Sequence, residues 1–571
     1  MKLILRYLRR HIGMFLFSML FLTMEALADL LQPTYMAYIV DEGISHASVP
    51  TILHYGLIML GIALVGAVSA VMRNHFSTRT SQNIGKELRR DMYHKIQGLS
   101  LENIDHLQPA SLITRITNDV TQVQDFINGI MRIMAKAPIT CIGAIVLIIV
   151  QTPQQAPVMA AILIVVALLI LGNMRIGYPR FGRVQEKLDK LNGVTREFLS
   201  SVRVVKAFRA EEEETGKFGA ASLELAQANT DALRTMAVFS PLINLTVNFG
   251  IVMLLWISRD QDAAMIGRLM ASVNYMTQVL FAVGMIANVI NTAVRAIASS
   301  RRIQEVLDEV PAQQMPENPY THAMRGDVLF DDVSFAYAGA SKEALSHISF
   351  RVKCGETVGV IGPTGSGKST LVNLLPRLYD ATCGRILIDG TDVQQMETAH
   401  LRQGVGVVAQ KALLFSGTIR ENLLWGKADA TEESLRRATR IACAEEFILK
   451  TEKGYDTLLG QGGVNLSGGQ KQRLSLARAL VREPKILILD DCTSALDAQT
   501  EASVLRGLRS MEEEITVFLI SQRISTVMRA DHILCLDNGR LQGYGTHEEL
   551  MASCEVYRAI YASQIGGEGD G

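Results

Sequence analysis

The stretch that decides the fold of the second half of this chain is Gly362, Pro363, Thr364, Gly365, Ser366, Gly367, Lys368 and Ser369. It matches the pattern Gly-x-x-x-x-Gly-Lys-Ser/Thr in full, follows a predicted strand at Thr357–Ile361, and precedes an apolar helix that includes Thr370. Glycines let the backbone curl so that its N–H groups face phosphate oxygens, and the helix start adds partial positive charge. The stretch therefore predicts a P-loop in which Lys368 reaches the β- and γ-phosphates and Ser369 binds Mg²⁺.

A second buried strand, Ile486–Leu489, ends in the carboxylate of Asp490. A carboxylate at that place suits a Mg²⁺ ligand beside the P-loop, bound directly or through water. Short β-branched strands alternate with helices throughout this half, which predicts an α/β domain with a mostly parallel sheet. These two motifs alone identify a P-loop nucleoside triphosphatase and nothing narrower.

The first half of the chain is far more apolar than the second. The 571 residues are 48% hydrophobic and 20% charged, with a mean hydropathy of +0.19. Six apolar runs are each predicted to form a membrane-spanning helix, the third by extension back to Asn128. They are Ile12–Val40, Ile52–Val71, Pro138–Val150, Val158–Leu171, Val238–Ile257 and Ala263–Val294. A net charge of −1 gives no indication of nucleic-acid binding.

The distribution of Lys and Arg predicts the orientation of these spans. The N-terminus and the segments Arg73–Ile127 and Arg175–Arg234 are rich in basic residues, whereas Asp41–Val49 and Thr152–Pro157 contain none and Ser258–Asp262 contains one. The positive-inside rule then places both termini in the cytoplasm of a multi-pass protein of the cell membrane. The alternative, a cleaved signal peptide at the N-terminus, would leave an odd number of spans.

The predicted organisation is an all-α transmembrane domain at residues 1–310, a proline-marked linker at 311–325 and an α/β nucleotide-binding domain at 326–571. The two long basic segments keep helical periodicity, so we expect them to extend the membrane helices into the cytoplasm. Each would end in a turn suited to touching a soluble domain. The tail Gly566–Gly571 is predicted to be disordered. Seven cysteines without C-x-x-C spacing indicate reduced thiols and no zinc site.

Further motifs resemble those of ABC exporters over nearly the whole chain. The most specific is the signature pentapeptide, which here reads Leu466, Ser467, Gly468, Gly469 and Gln470. Tyr337 resembles the aromatic residue that stacks on adenine, Gln410 the Q-loop glutamine near the metal and the reacting phosphate, and Ser494–Asp497 the D-loop. In the first half, Ser111–Val120 and Val202–Phe208 look like the cytoplasmic loop motifs of the exporter branch.

The resemblance implies a dimer of two such chains and a bilayer as the working environment. Each of two ATP molecules, with Mg²⁺, would lie between the P-loop of one chain and the signature of the other. ATP then holds the nucleotide domains together, and its hydrolysis lets the membrane helices switch between inward-facing and outward-facing states. The six predicted spans exclude a soluble ABC ATPase of DNA repair or translation.

Two positions depart from the family pattern. The residue after Asp490 is normally a glutamate that activates water, and here it is Asp491; the histidine that contacts the γ-phosphate is replaced by Gln522. Asp491 is one methylene shorter, and Gln522 carries no charge. The pair predicts a site that binds ATP and hydrolyses it poorly, as in one half of heterodimeric bacterial multidrug exporters. The alternative is neutral drift with slightly slower hydrolysis.

The transported substrate is not identified by the sequence. A hydrophobic or amphipathic drug-like molecule is the first expectation, with a lipid or peptide as alternatives, and an ATP-gated channel or regulatory subunit as another class of function. Glu25 and Asp29 lie on one face of the first span, where they either line a transport path or pair structurally.

Overall fold

The computed structural model describes residues 2–257, 266–314, 316, 318–511 and 515–565. These residues form two compact units, with the divisions falling after Lys95, after Pro109 and after Asp308. The segment 96–109 therefore belongs to the second unit, although it lies within the predicted transmembrane domain. The domain bounds 1–310, 311–325 and 326–571 stay a prediction. The tail 566–571 and the loop 258–262 lie outside the described residues.

The first unit is entirely helical where it is described. Its helices are α1 (Lys2–Arg10), α2 (Ile12–Tyr38), α3 (Val49–Gln97), α5 (Pro109–Thr114), α6 (Val120–Gly129), α7 (Lys136–Gln151), α8 (Ala156–Phe208), α9 (Glu211–Ile257) and α10 (Ile266–Asp308). Helix α4 (Leu101–Leu107) belongs to the second unit, which also receives the end of α3. π-Helical turns occur at Ile39–Ile44, Arg115–Asp119 and Ile130–Met134, and a 3₁₀ turn at Pro153–Gln155. Helices α8 and α9 continue far beyond their apolar parts, as the periodicity of the basic segments predicts.

Five helical stretches among the described residues are long and apolar enough to cross a membrane. They are Ile12–Ile44, Val49–Gln97, Pro109–Gln151, Pro153–Phe208 and Glu211–Ile257, and each contains one predicted span. The sixth predicted span, Ala263–Val294, falls on α10, which is not one of these five. Residues 263–265 lie outside the described part of the chain. The count of six stays a prediction.

The two acidic residues of the first span are neutralised by cations of neighbouring helices. Glu25 is buried and forms ion pairs with Arg73 on α3, 2.8 Å away, and with Lys136 on α7, 2.6 Å away. Lys136 also pairs with Asp29 at 2.8 Å. Charges within a bilayer are stable only when paired or hydrated. The contacts of Glu25 and Asp29 therefore favour the structural alternative.

The first exporter-like loop motif is bound to the last helix of the unit. Asp119 is fully buried, accepts a hydrogen bond from the Ser299 hydroxyl at 2.9 Å, and forms an ion pair with Arg302. Arg115 donates to the Glu305 carboxylate at 2.7 Å. The π-helical turn Arg115–Asp119 thus fixes the C-terminal part of α10 against the loop motif through two ion pairs, one of them to a buried carboxylate.

The second unit contains three sheets and the remaining helices. Its strands are β1 (Val328–Phe335), β2 (Leu345–Val352), β3 (Thr357–Ile361), β4 (Cys383–Ile388), β5 (Thr391–Asp392), β6 (Val405–Val408), β7 (Gly417–Thr418), β8 (Leu458–Leu459), β9 (Ile486–Asp490), β10 (Thr516–Ile520), β11 (His532–Asp537) and β12 (Arg540–Gly545). Besides α4, its helices are α11 (Lys368–Leu374), α12 (Thr398–Gly404), α13 (Ile419–Leu424), α14 (Glu432–Ile441), α15 (Glu445–Leu449), α16 (Gly468–Val481), α17 (Ala498–Arg509), α18 (Ile524–Val527), α19 (His547–Ser553) and α20 (Glu555–Ile565).

The main sheet has six strands in the order β12-β11-β3-β10-β9-β6, of which only β12 runs antiparallel. Its central strands β9 and β10 are uninterrupted apolar runs that are buried on both faces, which is the pattern of a parallel sheet covered by helices. The predicted strands Thr357–Ile361 and Ile486–Leu489 are confirmed as β3 and most of β9. A separate antiparallel sheet, β2-β1-β4-β5, was not predicted. Its strand β2 alternates buried and exposed residues, so it presents one face to a core.

Candidate nucleotide-binding site

Most of the predicted site residues lie at the carboxyl ends of four adjacent parallel strands; Tyr337 and the signature residues do not. In sheet order β3-β10-β9-β6, the P-loop follows β3, Gln522 follows β10, Asp490 ends β9 and Gln410 follows β6. The carboxyl ends of parallel strands meet at one edge of the sheet, which is where α/β proteins bind nucleotides. The topology therefore brings together residues that are up to 160 positions apart in the sequence.

These residues line one cavity of about 790 Å³. Its lining contains the predicted residues Tyr337, Thr364, Gly365, Gly367, Lys368, Ser369, Thr370, Gln410, Asp490, Asp491 and Gln522. It also contains Lys342, Glu343, Ala344, Asn538 and Gly539, which were not predicted. Asn538-Gly539 forms the tight turn between β11 and β12, with positive φ at both residues. The Asn-Gly pair signals a hairpin, but nothing local shows that the hairpin borders a site.

The P-loop wraps around the ammonium group of Lys368. Its Nζ donates hydrogen bonds to the carbonyl oxygens of Gly362 at 2.8 Å and Pro363 at 2.7 Å. Gly367 has φ of +96°, and a Cβ there would lie 2.7 Å from the Ala344 carbonyl oxygen, so only glycine fits. Burial lowers the pKa of Lys368, while the carboxylates of Asp490 and Asp491 oppose that shift. An entering phosphate would replace the two carbonyl oxygens as the partner of this cation.

The donor set beside the P-loop suits Mg²⁺. The Ser369 hydroxyl donates to Asp490 Oδ1 at 3.1 Å, so two oxygen ligands already lie side by side. Burial raises the pKa of the Asp490 carboxyl, the hydrogen bond from Ser369 opposes this shift, and the neighbouring Asp491 carboxylate adds to it. The described residues hold no cluster of three or more His, Cys, Asp or Glu able to bind a metal. Few protein ligands are the norm for Mg²⁺ that is shared with substrate phosphates.

Asp491, the residue predicted to act on water, contacts the predicted Q-loop glutamine. Its Oδ2 accepts a hydrogen bond from Gln410 Nε2 at 3.3 Å, and its backbone takes φ of +46°. Burial raises the pKa of Asp491, and the contact with Gln410 opposes this shift. Gln522 lies on the next loop, where its carbonyl oxygen accepts from Gln564 Nε2 at 2.7 Å. The two divergent residues and Gln410 thus border the same cavity as the P-loop.

The predicted adenine-stacking residue, Tyr337, lies at the edge of this cavity. Its hydroxyl is 3.1 Å from the Thr370 hydroxyl, which anchors it to the P-loop helix α11. Tyr337 is 38% exposed, and an aromatic ring of this kind can stack on a planar base. Tyr337 also packs edge-on against Phe335 and Tyr379, with ring centroids 4.9 and 5.4 Å apart.

The signature residues do not complete this site. Within the described part of the chain, Ser467, Gly468, Gly469 and Gln470 are absent from the lining of the cavity. They form the start of α16, where Ser467 and Gln470 make a reciprocal capping box. A Cβ on Gly468 would meet no atom nearer than Ala495 Cβ at 3.9 Å. Its own chain therefore leaves room for a side chain, and the helix start can accept an anion from outside.

A buried carboxylate joins the loops that carry Asp491 and Gln522. Glu501 on α17 accepts hydrogen bonds from the hydroxyls of Thr493 at 2.9 Å and Thr526 at 2.8 Å. All three side chains are buried, and Arg523 lies 3.6 Å from the other carboxylate oxygen. Thr493 follows Asp491 by two positions, and Arg523 follows Gln522. Glu501 therefore holds the two loops in one arrangement.

Replacing Glu501 by alanine is expected to destabilise the second unit and to slow turnover. Two buried hydroxyls would lose their acceptor, at a cost of about 1–3 kcal/mol. Thermal unfolding of the purified chain in detergent micelles should show a lower midpoint, with the rate of hydrolysis affected more than the KM for ATP. Glu501→Gln retains an acceptor oxygen and serves as the matched control. Equal losses in both variants would show that charge, and not hydrogen bonding, is what Glu501 contributes.

Comparison with known proteins gives matches over both halves. Residues 15–283 match the family model of the ABC transporter transmembrane region, and residues 345–494 match the family model described as ABC transporter. An uncharacterized ABC transporter ATP-binding protein of Bacillus subtilis, YfiB, is 38% identical over 97% of this chain and 96% of its own length. An ATP-dependent lipid A-core flippase of Vibrio vulnificus is 30% identical over 95% and 94%, respectively. The structure of a bacterial Atm1-family ABC exporter with ATP bound matches 98% of this chain and 98% of its own chain, at 27% identity and with a TM-score of 0.78.

The predicted fold class, a helical transmembrane domain followed by an α/β nucleotide-binding domain, is confirmed by these matches.

Proposed function

This chain belongs to the ABC transporter family, as an exporter whose ATPase domain couples ATP hydrolysis to transport. We propose that it is one half of a heterodimer and that its own ATP site is weakly hydrolytic. In this proposal its P-loop binds an ATP molecule that is turned over slowly. Its signature completes the competent site on the P-loop of a second, different half-transporter chain. Transport is then driven mainly from that other site.

The observation that carries the proposal is the composition of the cavity. Its lining includes Tyr337, Lys368, Ser369 and Asp490, the groups that we expect to bind Mg-ATP. The two groups needed to break the γ-phosphate bond are the ones that diverge, as Asp491 and Gln522. Binding needs the phosphate cradle and the metal, whereas hydrolysis also needs a placed water and a contact to the γ-phosphate. Such a composition supports retention of ATP with slow turnover.

The roles of the chain's own residues follow from their positions. Lys368 and the P-loop N–H groups hold the phosphates, and Ser369 with Asp490 would hold Mg²⁺, which neutralises phosphate charge when bound. Asp491 would orient the attacking water through a carboxylate that is about 1 Å further from it than glutamate, and a misplacement of that size costs on the order of 10²-fold in rate. Gln410 contacts this carboxylate at 3.3 Å and limits how far it can swing.

The proposed substrate is amphipathic, either a drug-like molecule or a lipid. One relative with the same two domains is an ATP-dependent lipid A-core flippase, whose name indicates transfer of a lipid across a membrane. The basic N-terminus of this chain and its ATP-binding half both require the cytoplasmic side of the cell membrane. We therefore place both termini in the cytoplasm and the direction of transport outward.

The proposal is tested by purifying the chain with and without its partner. The chain alone should hydrolyse ATP slowly, because a homodimer would carry two copies of the impaired site, while the complex should hydrolyse it rapidly. Uptake of an amphipathic dye into inverted vesicles should require the complex and ATP. Fast hydrolysis by the chain alone that is lost in Lys368→Ala would overturn the heterodimer. Conductance gated by ATP, without uptake against a gradient, would instead identify a channel.

A further inference from the structure

Helix α4 (Leu101–Leu107), the short helix of the first cytoplasmic loop, belongs to the compact unit that carries the nucleotide site. Its chain neighbour is α3, a candidate membrane span that ends at Gln97. The helix begins at Ser100, whose side chain accepts from the Asn103 backbone N–H. Helix α4 is therefore a well-defined element through which a change at the nucleotide site could reach a membrane helix.

One side chain links α4 to the site. The Tyr379 hydroxyl donates to Asp105 Oδ2 on α4 at 2.6 Å. The ring of Tyr379 packs edge-on against Tyr337, with centroids 5.4 Å apart and an angle of 83° between the rings. Burial and the neighbouring Asp105 carboxylate raise the pKa of Tyr379, so its hydroxyl stays a donor throughout the physiological range.

The position of Tyr379 itself is fixed by the chain on its N-terminal side. Arg377 is 3% exposed and donates to both oxygens of Asp380, at 2.7 and 3.1 Å, and to the Gln314 carbonyl oxygen at 3.1 Å. Asn103 on α4 donates to the Val310 carbonyl oxygen at 3.0 Å and accepts from the Ala312 N–H at 2.9 Å. Tyr379 and α4 are thus both held against the segment 310–314, so their mutual contact has little freedom.

We propose that Tyr379 is a positioning residue that transmits occupancy of the Tyr337 ring by a nucleotide base to helix α4 through the Asp105 carboxylate. The inference rests on the proposed stacking of adenine on Tyr337. A base stacked on Tyr337 would restrain its ring, which in turn would restrain the edge-on Tyr379 and the hydroxyl that holds Asp105. A triphosphate without a base fills the P-loop and leaves this contact unchanged.

The test measures amide hydrogen exchange of residues 101–107 in the full-length chain in nanodiscs. Saturating Mg-ATP should slow exchange in α4, and magnesium tripolyphosphate, which has no base, should slow it much less. In Tyr379→Phe the ATP-specific part of the slowing should fall by roughly tenfold or more, as expected for loss of one hydrogen bond to a carboxylate. ATP affinity should change less than threefold, because the phosphate cradle is untouched.

Tyr544→Phe is the matched control. That tyrosine, in the same domain, donates to the Arg351 carbonyl oxygen, and its variant should exchange like the parent. Asp105→Ala removes the acceptor of the same hydrogen bond, so it should reduce the ATP-specific slowing as much as Tyr379→Phe does. The double variant should show no further reduction. Full slowing in Tyr379→Phe, equal slowing by tripolyphosphate, or no slowing by ATP in the parent would each overturn the inference. The proposed nucleotide site is tested separately, by the binding of labelled ATP to the parent and to Lys368→Ala. Equal binding to both would show that the site proposal is wrong.

Discussion

Replacing Gly468 by aspartate in the assembled transporter is expected to reduce ATP hydrolysis on the order of 10²-fold or more, the loss that follows removal of one stabilising contact to a transition-state anion. The aspartate would project from the start of α16 toward the place where the partner's γ-phosphate must come. The expected cause is repulsion between two negative groups, together with blocked closure of the nucleotide domains. Steady-state hydrolysis by the purified complex measures the loss.

Gly468→Asp is informative because the substitution is not expected to destabilise the chain that carries it. The nearest atom to a Cβ at position 468 is 3.9 Å away, and an acidic residue in the first turn of a helix is favourable for the helix itself. The midpoint of thermal unfolding should therefore stay unchanged. Gly468→Ala is the size control, and Asp491→Asn, on the opposite site, should cost far less turnover. If Asp491→Asn abolished hydrolysis and Gly468→Asp did not, the two sites would have been assigned the wrong way round.

Most of the nucleotide site could be predicted because its residues are specified by local chemistry. The P-loop, the apolar strand before Asp490 and the signature pentapeptide each carry their own pattern, and the parallel sheet then brings the chain segments after β3, β10, β9 and β6 side by side. Lys342, Glu343 and Asn538 could not be predicted as lining residues, because they come from turns whose position depends on strand order. The antiparallel sheet β2-β1-β4-β5 was missed for a similar reason, since its strand β1 pairs with the distant strand β4, from Ser334 with Cys383 to Val328 with Ile388.

In the membrane half, the sequence predicts where the helices are but not which side chains join them. Its apolar runs predict where the helices are, and five of the spans agree with stretches long and apolar enough to cross a bilayer. The pairing of Glu25 with Arg73 and Lys136 joins three different helices, and no spacing within the first span contains that information. The assignment of residues 96–109 to the second unit also depends on side-chain contacts such as those of Asn103 and Asp105. Composition locates helices in a membrane, whereas long-range ion pairs and hydrogen bonds decide how they are joined.

Restoring the family residues at the two divergent positions is expected to raise hydrolysis at this chain's own site. In the double variant Asp491→Glu with Gln522→His, the added methylene returns the carboxylate to the attacking water, and the imidazole can contact the γ-phosphate. The expected gain is on the order of 10²-fold, the amount that a displacement of about 1 Å costs. The purified chain without its partner is the right sample, because in a homodimer both sites are built from this P-loop and an intact signature.

The measurement is the rate of phosphate release at saturating Mg-ATP, compared with the two single variants and with Lys368→Ala added to the double variant. Each single change should give a smaller gain than the pair, because water orientation and phosphate contact act in the same step. Lys368→Ala should remove the gain, which excludes a contaminating ATPase. Affinity for ATP should stay near that of the parent, since Tyr337, the P-loop and Asp490 are unchanged. A double variant that binds ATP and hydrolyses it no faster than the parent would show that Asp491 and Gln522 do not limit the site, and the slow-site half of the proposal would then be wrong while membership of the exporter family stood.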